Sequence, residues 1–181
     1  AIRFWCMAFK IIEPYTEPGK SGPLRISGPM QATDFGSALL SENRWDPFLE
    51  DPASLWLLHW KLFTPPYLAP AWSMAVNLSG ANSFSTQDLT SSLLEQKKNI
   101  PEFQKYSDSS FQKDASCFIR MYGPGTRQAA EEIECPFTQL ELLITGKDSH
   151  SYCFNLEDKT SLPSHIFLSA CFEYAHTIQP D

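Results

Sequence analysis

The chain has 181 residues, which suits one domain or one domain with part of another. Its formal net charge of −7 argues against a free-standing, non-specific DNA-binding protein, because such proteins carry a basic surface that neutralises phosphates. An apolar fraction of 43% is ample for a core, but no run approaches the ~18 apolar residues of a membrane-spanning helix. Five well-separated cysteines without a Cys-x-x-Cys pair argue against a zinc site and favour a reducing, cytoplasmic setting.

Residues 1–13 carry the pattern of an amphipathic helix that stops before Pro14. Its apolar residues recur at three- and four-residue spacing: Ile2, Trp5, Cys6, Phe9 and Ile12. Arg3 and Lys10 lie two turns apart on one edge of this predicted helix, so the edge is basic in an acidic protein. The edge is either a nucleic-acid contact or an ordinary solvated helix face.

Glycine and proline residues interrupt residues 14–33 around short apolar pieces, which predicts a loose β-hairpin. Thr33 then caps a predicted short helix over residues 34–40. A helix, a hairpin and a short helix in this order are compatible with the last part of a winged helix, in which residues 1–13 would be the recognition helix. We therefore predict a partial winged-helix-like segment over residues 1–45.

The remainder, residues 46–181, is predicted to be a mostly helical C-terminal domain. Caps, helix-breaking residues and apolar periodicity predict five helices. The first runs from residue 52 to the proline pair at 65–66, and the others cover residues 71–78, 86–97, 109–122 and 164–178. Alternation of apolar and polar residues predicts a strand over residues 150–155. The predicted fold class is therefore mostly α with a minor β part.

The stretch 46–62 concentrates side chains that could carry chemistry. Asp46, Glu50 and Asp51 are close enough in sequence to converge on a divalent ion, and the half-buried Asp114 of a later helix could join them. Mg²⁺ held by such carboxylates activates water and stabilises the departing oxygen in phosphodiester cleavage. The alternative is purely structural, since Asp51 also suits a helix N-cap and Asp46 a turn before proline.

His59 lies in the same stretch, among apolar residues of one helical face. Its ordinary pKa lies near working pH, so it could serve as a general base. A hydrogen-bonded core histidine is the alternative interpretation. The sequence contains neither a Gly-x-Ser-x-Gly elbow nor a glycine-rich phosphate loop.

Four segments, in this order along the chain, resemble a bacterial domain-of-unknown-function family, that of the SspB-type proteins of the Ssp DNA phosphorothioation system. They are Ala1-Ile-Arg-Phe-Trp, Asp46-Pro-Phe-Leu-Glu-Asp-Pro with the following Leu-Trp-Leu-Leu-His-Trp, Lys113-Asp-Ala-Ser-Cys-Phe-Ile-Arg-Met-Tyr, and Glu134-Cys-Pro-Phe-Thr-Gln-Leu. In that family a further segment precedes the residues that match Ala1. We therefore interpret the chain as a C-terminal portion.

The resemblance implies a component of the machinery that replaces a nonbridging phosphate oxygen of DNA by sulfur, a modification used in anti-phage defence and restriction-modification. It implies that the full-length protein binds DNA and nicks one strand as a Mg²⁺-dependent endonuclease. The implied partners are DNA, an ATPase, an ATP-pyrophosphatase-like sulfur transferase and a cysteine desulfurase.

If the protein cuts DNA, the expected metal ligands are carboxylates: Asp46, Glu50 and Asp114. His59 is expected to order that centre. The residues expected to meet phosphates are basic: Arg3, Lys10 and Arg120. Two alternatives stay open, a noncatalytic DNA-recognition subunit and a protein-docking scaffold that uses the acidic patch at residues 131–134.

Overall fold

The structure is a computed structural model that describes residues 2–15, 28–78, 80, 83–124, 135–148 and 150–178. It divides the chain into two compact units. Unit 1 comprises Ala1–Leu68 and Leu162–Asp181, and unit 2 comprises Ala69–Ser161. The predicted boundary between residues 45 and 46 lies inside unit 1, so the partial winged-helix-like segment stays a prediction.

Helices dominate both units. In the described part of the chain the α-helices are α1 (Ile2–Ala8), α2 (Asp34–Leu40), α3 (Pro52–Leu62), α4 (Pro70–Ala75), α5 (Thr86–Asn99), α6 (Asp108–Tyr122) and α7 (Ser164–Ile178). The strands are β1 (Ile12–Pro14), β2 (Met30–Ala32), β3 (Phe84–Ser85), β4 (Leu143–Thr145) and β5 (Ser151–Phe154). This composition confirms the predicted fold class, mostly α with a minor β part. None of the described helices is long and apolar enough to cross a bilayer.

The first helix is shorter than the pattern over residues 1–13 predicted. It ends at Ala8, and Lys10 takes a left-handed backbone conformation with φ 60°. The Ile11 amide then donates a hydrogen bond of 2.8 Å to the Cys6 carbonyl, which closes the helix. Ile12–Pro14 continue as β1 because pairing with a distant strand overrides the local helical periodicity.

A two-stranded sheet follows α1, as the predicted hairpin requires. β1 and β2 pair antiparallel, with Ile12 opposite Ala32 and Pro14 opposite Met30. Thr33 caps α2 as expected, since its hydroxyl accepts a hydrogen bond of 2.8 Å from the Gly36 amide. That hydroxyl also lies 3.2 Å from the Ile11 carbonyl, so the cap ties α2 to the turn after α1.

The core of unit 1 is built around α3. Asp51 and Pro52 begin this helix in the predicted N-cap arrangement. Its buried side chains are Ser54, Leu55, Trp56, Leu58 and Leu62. The helix α7 packs beside it through the buried Ile166, and its large exposed apolar residues are Phe167, Leu168, Phe172, Tyr174 and Ile178.

Unit 2 packs α4, α5 and α6 beside a three-stranded antiparallel sheet in the order β3, β5, β4. Its core is strongly aromatic. The Trp72 and Phe118 ring centroids lie 6.0 Å apart, those of Phe118 and Tyr122 lie 5.1 Å apart, and those of Tyr122 and Phe137 lie 6.1 Å apart. Edge-on ring contacts of this kind add stability beyond the buried area.

Local end signals agree with the structure in unit 2. Ser85 and Asp88 form a capping box at the start of α5, and Ser107 caps α6. The expected strand over residues 150–155 is β5. The short β3 was not predicted, because it depends on pairing with β5, which is distant in sequence.

Candidate functional site

Asp46 organises the backbone that enters α3. It is 8% exposed, and its two carboxylate oxygens accept hydrogen bonds from the Glu50 amide at 2.9 Å and the Asp51 amide at 3.0 Å. Burial alone raises the pKa of this carboxyl group, but hydrogen bonds from the Ser54 side chain and from the amides of Glu50, Asp51 and Leu49 outweigh it. The net result is a pKa below the ordinary value of 3.8, so Asp46 is ionised at neutral pH.

The other two acids of this stretch are placed differently. Asp51 Oδ1 accepts a hydrogen bond of 2.8 Å from the Ala53 amide, which makes it the N-cap of α3. Glu50 is exposed between the two aspartates. Asp46 and Asp51 accept hydrogen bonds from backbone amides, whereas the exposed Glu50 has no such structural role among the described residues.

His59 lies between two aromatic rings, that of Trp56 in α3 and that of Phe63 at the C-terminal end of the helix. Its ring centroid is 5.9 Å from that of Trp56 and 4.9 Å from that of Phe63. Burial lowers the pKa of His59 from 6.5 to about 4. The imidazole is therefore neutral at pH 7, a form that accepts protons but does so as a weak base.

A cavity of about 370 Å³ opens beside His59, between α3 and α7 of unit 1. Its walls are almost entirely apolar and aromatic: Trp56, His59, Trp60, Leu162, Ile166, Phe167, Ala170, Cys171 and Tyr174. Five residues of that set belong to α7, and of these Ile166 is buried whereas Phe167, Cys171 and Tyr174 are exposed.

Arg3 and Lys10 do not share a helix edge, since α1 ends before Lys10. Arg3 is exposed on α1, and its Nη1 lies 3.4 Å from the Gly28 carbonyl. Lys10 is half-buried and donates from Nζ to the Pro66 carbonyl. Burial, reinforced by the charge of Lys61, lowers the pKa of Lys10 to about 8. Arg3 is thus the more accessible of the two cations, and their role in phosphate binding stays a prediction.

Asp114 and Arg120 belong to α6 in unit 2. Asp114 is half-buried, and this burial raises the pKa of its carboxyl group. Arg120 is exposed and interacts with Cys117 one turn back along the helix. Burial raises the pKa of the Cys117 thiol, and the charge and hydrogen bond of Arg120 oppose that rise. The expected metal set therefore draws on two units, Asp46 and Glu50 from one and Asp114 from the other.

The donor chemistry of these acids fits Mg²⁺, which prefers carboxylate oxygens. Their geometry fits less completely, because the Asp46 oxygens are engaged with backbone amides. Among the residues that the structure describes, no three His, Cys, Asp or Glu side chains are grouped so that they could hold a metal ion together. The metal ligands Asp46, Glu50 and Asp114 accordingly stay a prediction.

One polar cluster in unit 1 was missed by sequence reasoning. Glu173 accepts hydrogen bonds from Trp60 Nε1 at 2.7 Å and from Lys61 Nζ at 2.7 Å. Lys61 also lies over the Phe35 ring, 5.2 Å from its centroid. The sequence could have indicated this cluster, because Glu173 is the single carboxylate of the apolar helix α7. A carboxylate in such surroundings usually has a hydrogen-bond partner.

Comparison with known proteins supports one family. A family model described as "Protein of unknown function (DUF4007)" matches residues 1–181. The chain is similar to a solved structure described as "SspB crystal structure", with 31% identity and a TM-score of 0.83 over 99% of this chain and 53% of that chain. For the "Magnesium ion-bound SspB crystal structure" the identity is 32% and the TM-score 0.81, over 97% of this chain and 52% of that chain.

No protein of curated function matches the chain. The chain spans about half the length of the SspB chains that it matches, with shares of 53% and 52%. The likeness extends over nearly all of the present residues and confirms the resemblance to SspB-type proteins. The chain therefore belongs to the DUF4007 family.

Proposed function

We propose that this chain is part of an SspB-type protein that acts in the Ssp system of DNA phosphorothioation. The observation that carries the proposal is the likeness to SspB, with a TM-score of 0.83 at 31% identity. The finer proposal, which follows the family resemblance, is that the full-length protein binds DNA and nicks one strand. A role in anti-phage defence and a cytoplasmic setting belong to the same proposal.

Mg²⁺ is the proposed cofactor. A magnesium-bound structure exists for SspB, and the carboxylate donors of Glu50, Asp46 and Asp114 have the chemistry that this ion prefers. When bound, Mg²⁺ would supply Lewis acidity to a phosphate oxygen. In this proposal Glu50 and Asp114 act as direct ligands, while Asp46 both holds the loop and contributes an oxygen.

His59 is proposed to order that centre from the side of α3. Its neutral imidazole and its position between two rings suit a positioning role better than proton transfer, because a pKa of about 4 leaves little basicity at neutral pH.

DNA contact is proposed for the basic residues Arg3, Lys10 and Arg120. The order of α1, β1 and β2 agrees with a recognition helix followed by its wing, which favours α1 as the groove-facing element. Arg3 is exposed on that helix, and Arg120 is exposed on α6. Since this chain is acidic, few phosphate contacts are expected from it.

A plasmid-nicking assay with the full-length protein tests the catalytic proposal. Supercoiled plasmid should relax in Mg²⁺ and stay supercoiled in excess EDTA. Glu50→Gln and Asp114→Asn should each lower the nicking rate at least ~100-fold, since a metal site supplies several kcal/mol of transition-state stabilisation. Glu42→Gln, a change to an exposed acid just before that stretch, is the matched control and should leave the rate unaltered.

Equal rates for Glu50→Gln, Asp114→Asn and the control would refute this metal site. Plasmid that is bound but never cut would instead favour the noncatalytic DNA-recognition subunit. The acidic patch at residues 131–134, named for the scaffold alternative, lies outside the described residues.

A further inference from the structure

We propose that residues 41–51, here called the aromatic loop, form a docking element that inserts Trp45 and Phe48 into apolar pockets on a partner protein with a basic rim. The aromatic loop connects α2 to α3 in unit 1. Nothing in the proposed nicking chemistry uses either aromatic side chain. The inference rests on the proposed function only for the choice of partner proteins in its test.

Both aromatic side chains face solvent. Trp45 is 66% exposed and Phe48 is 82% exposed, and Leu49 beside them is 37% exposed. Large aromatic rings are costly to leave in water, and exposed aromatic groups that lie close together in the chain are typical of binding surfaces. Trp and aromatic anchors also dominate binding energy where they enter pockets on a partner.

The aromatic loop is held in one conformation by bonds on both sides of the aromatic residues. On the α2 side, the Trp45 amide donates to the Ala38 carbonyl at 3.1 Å and the Asp46 amide donates to the Leu39 carbonyl at 2.9 Å. On the α3 side, the buried Asp46 carboxylate accepts from the amides of Glu50 and Asp51. A backbone tied in this way keeps the rings directed outward, because they cannot fold back with the chain.

Two residues of the aromatic loop have left-handed backbone angles, which asparagine tolerates and leucine does not. Asn43 has φ 60° and Leu49 has φ 55°, and the left-handed region is especially unusual for a leucine. Strain of this kind persists where the surrounding structure demands a particular loop shape, and it is concentrated at functional segments. Here the required loop shape is the one that exposes Trp45 and Phe48. Because the loop already has this shape before binding, less conformational entropy is lost when a partner binds.

The charges of the aromatic loop decide the chemistry of the partner. Its exposed charged side chains are three acids, Glu42, Glu50 and Asp51, against one base, Arg44. Charge complementarity therefore favours a partner whose apolar pocket is bordered by lysine or arginine. A second copy of the loop would bring like charges together.

Binding measurements with purified full-length protein test the proposal. The probes are the three candidate partner proteins of the same system: the ATPase, the sulfur transferase and the cysteine desulfurase. One of them should bind, and Trp45→Ala and Phe48→Ala should each weaken that binding about 30-fold. Plasmid nicking by these variants should match the wild type, which separates failure of this inference from failure of the proposed function.

A pair of charge changes in the aromatic loop supplies the matched control. Glu42→Lys should weaken binding several-fold, whereas Arg44→Glu should tighten it or leave it unaltered, and added salt should weaken the wild-type complex. A duplex oligonucleotide and sedimentation of the protein alone complete the set. Two results would identify a different occupant and overturn the proposal: DNA binding that depends on Trp45 and Phe48, or self-association that the Trp45→Ala and Phe48→Ala changes abolish. The proposal would also be wrong if both aromatic variants bound the partner as tightly as the wild type, or if the wild type bound none of the three proteins.

Discussion

Asp46 is the residue on which the entry to α3 depends. Asp46→Ala removes an ionised acceptor from two backbone amides and leaves them without partners beside a buried side chain. We expect a loss of about 3 kcal/mol in the free energy of unfolding, because charge-assisted hydrogen bonds contribute roughly 1.5–3 kcal/mol each and part of the loss is recovered by water. Urea denaturation measures it. Asp51→Asn, which keeps an N-cap acceptor, should cost only a few tenths of a kcal/mol and serves as the control.

The same carboxylate sets a limit to stability in acid. Because the folded state holds the pKa of Asp46 below 3.8, its contribution is complete above that value and is lost as pH falls through the lower folded pKa. Asp46→Asn should therefore flatten the stability curve below pH 3.8 and leave its slope at pH 5–6 unaltered. An unaltered acid slope in this variant would contradict the assigned role.

His59 governs a different pH window. Its folded pKa of about 4 lies below the ordinary value of 6.5, so the unfolded chain binds more protons between these values. Stability should fall as pH drops from 6.5 towards 4, and His59→Phe should remove much of that fall. Urea midpoints at pH 7, 5.5 and 4.5 provide the measurement, with His165→Phe, at the first turn of α7, as a matched control that keeps the fall. Equal dependence of stability on pH in both variants would show that the His59 imidazole is not responsible.

At the scale of elements, α2 depends on a close approach to the turn after α1. A Cβ atom on Gly36 would overlap the Ile11 carbonyl group, which is backbone and cannot rotate away. Gly36→Ala should therefore cost about 3 kcal/mol, at the upper end of what overpacking usually costs. Gly80→Ala is the control, since a Cβ there meets nothing within 4 Å. Thermal or urea unfolding that destabilises both variants equally would contradict the close-approach argument.

Helix ends were predictable where a cap and a pattern agreed. The N-caps Thr33 and Asp51 lie where the sequence placed them, because a side-chain oxygen before an apolar-periodic run satisfies the first amides locally. The helix over residues 1–13 was predicted too long for the opposite reason. Its periodicity continued past Ala8, but strand pairing between Ile12–Pro14 and Met30–Ala32 is not visible in local spacing.

At the scale of the whole molecule, an acidic chain limits how DNA can be bound. With Arg3, Lys10 and Arg120 as the phosphate contacts, the slope of log K against log salt should be near −2.7, about −0.9 for each contact. Arg3→Ala in the full-length protein should reduce that slope by about 0.9. Fluorescence anisotropy with a duplex at several salt concentrations measures it. Lys105→Ala, a change to another exposed lysine, should leave the slope as it is.

A steep slope that is insensitive to Arg3→Ala would place the DNA contact elsewhere in the full-length protein. That outcome would leave the membership in the DUF4007 family untouched, because the family rests on residues 1–181 as a whole.

The sequence by itself determined the helical class, the helix caps and the resemblance to SspB-type proteins, since these depend on neighbouring residues and on the order of short motifs along the chain. Only the tertiary structure decided the state of the site residues. It showed that Asp46 is engaged with backbone amides, that burial keeps His59 neutral, and that Lys10 lies beyond its helix. Burial and backbone partners come from segments far apart in the chain, so no local pattern encodes them.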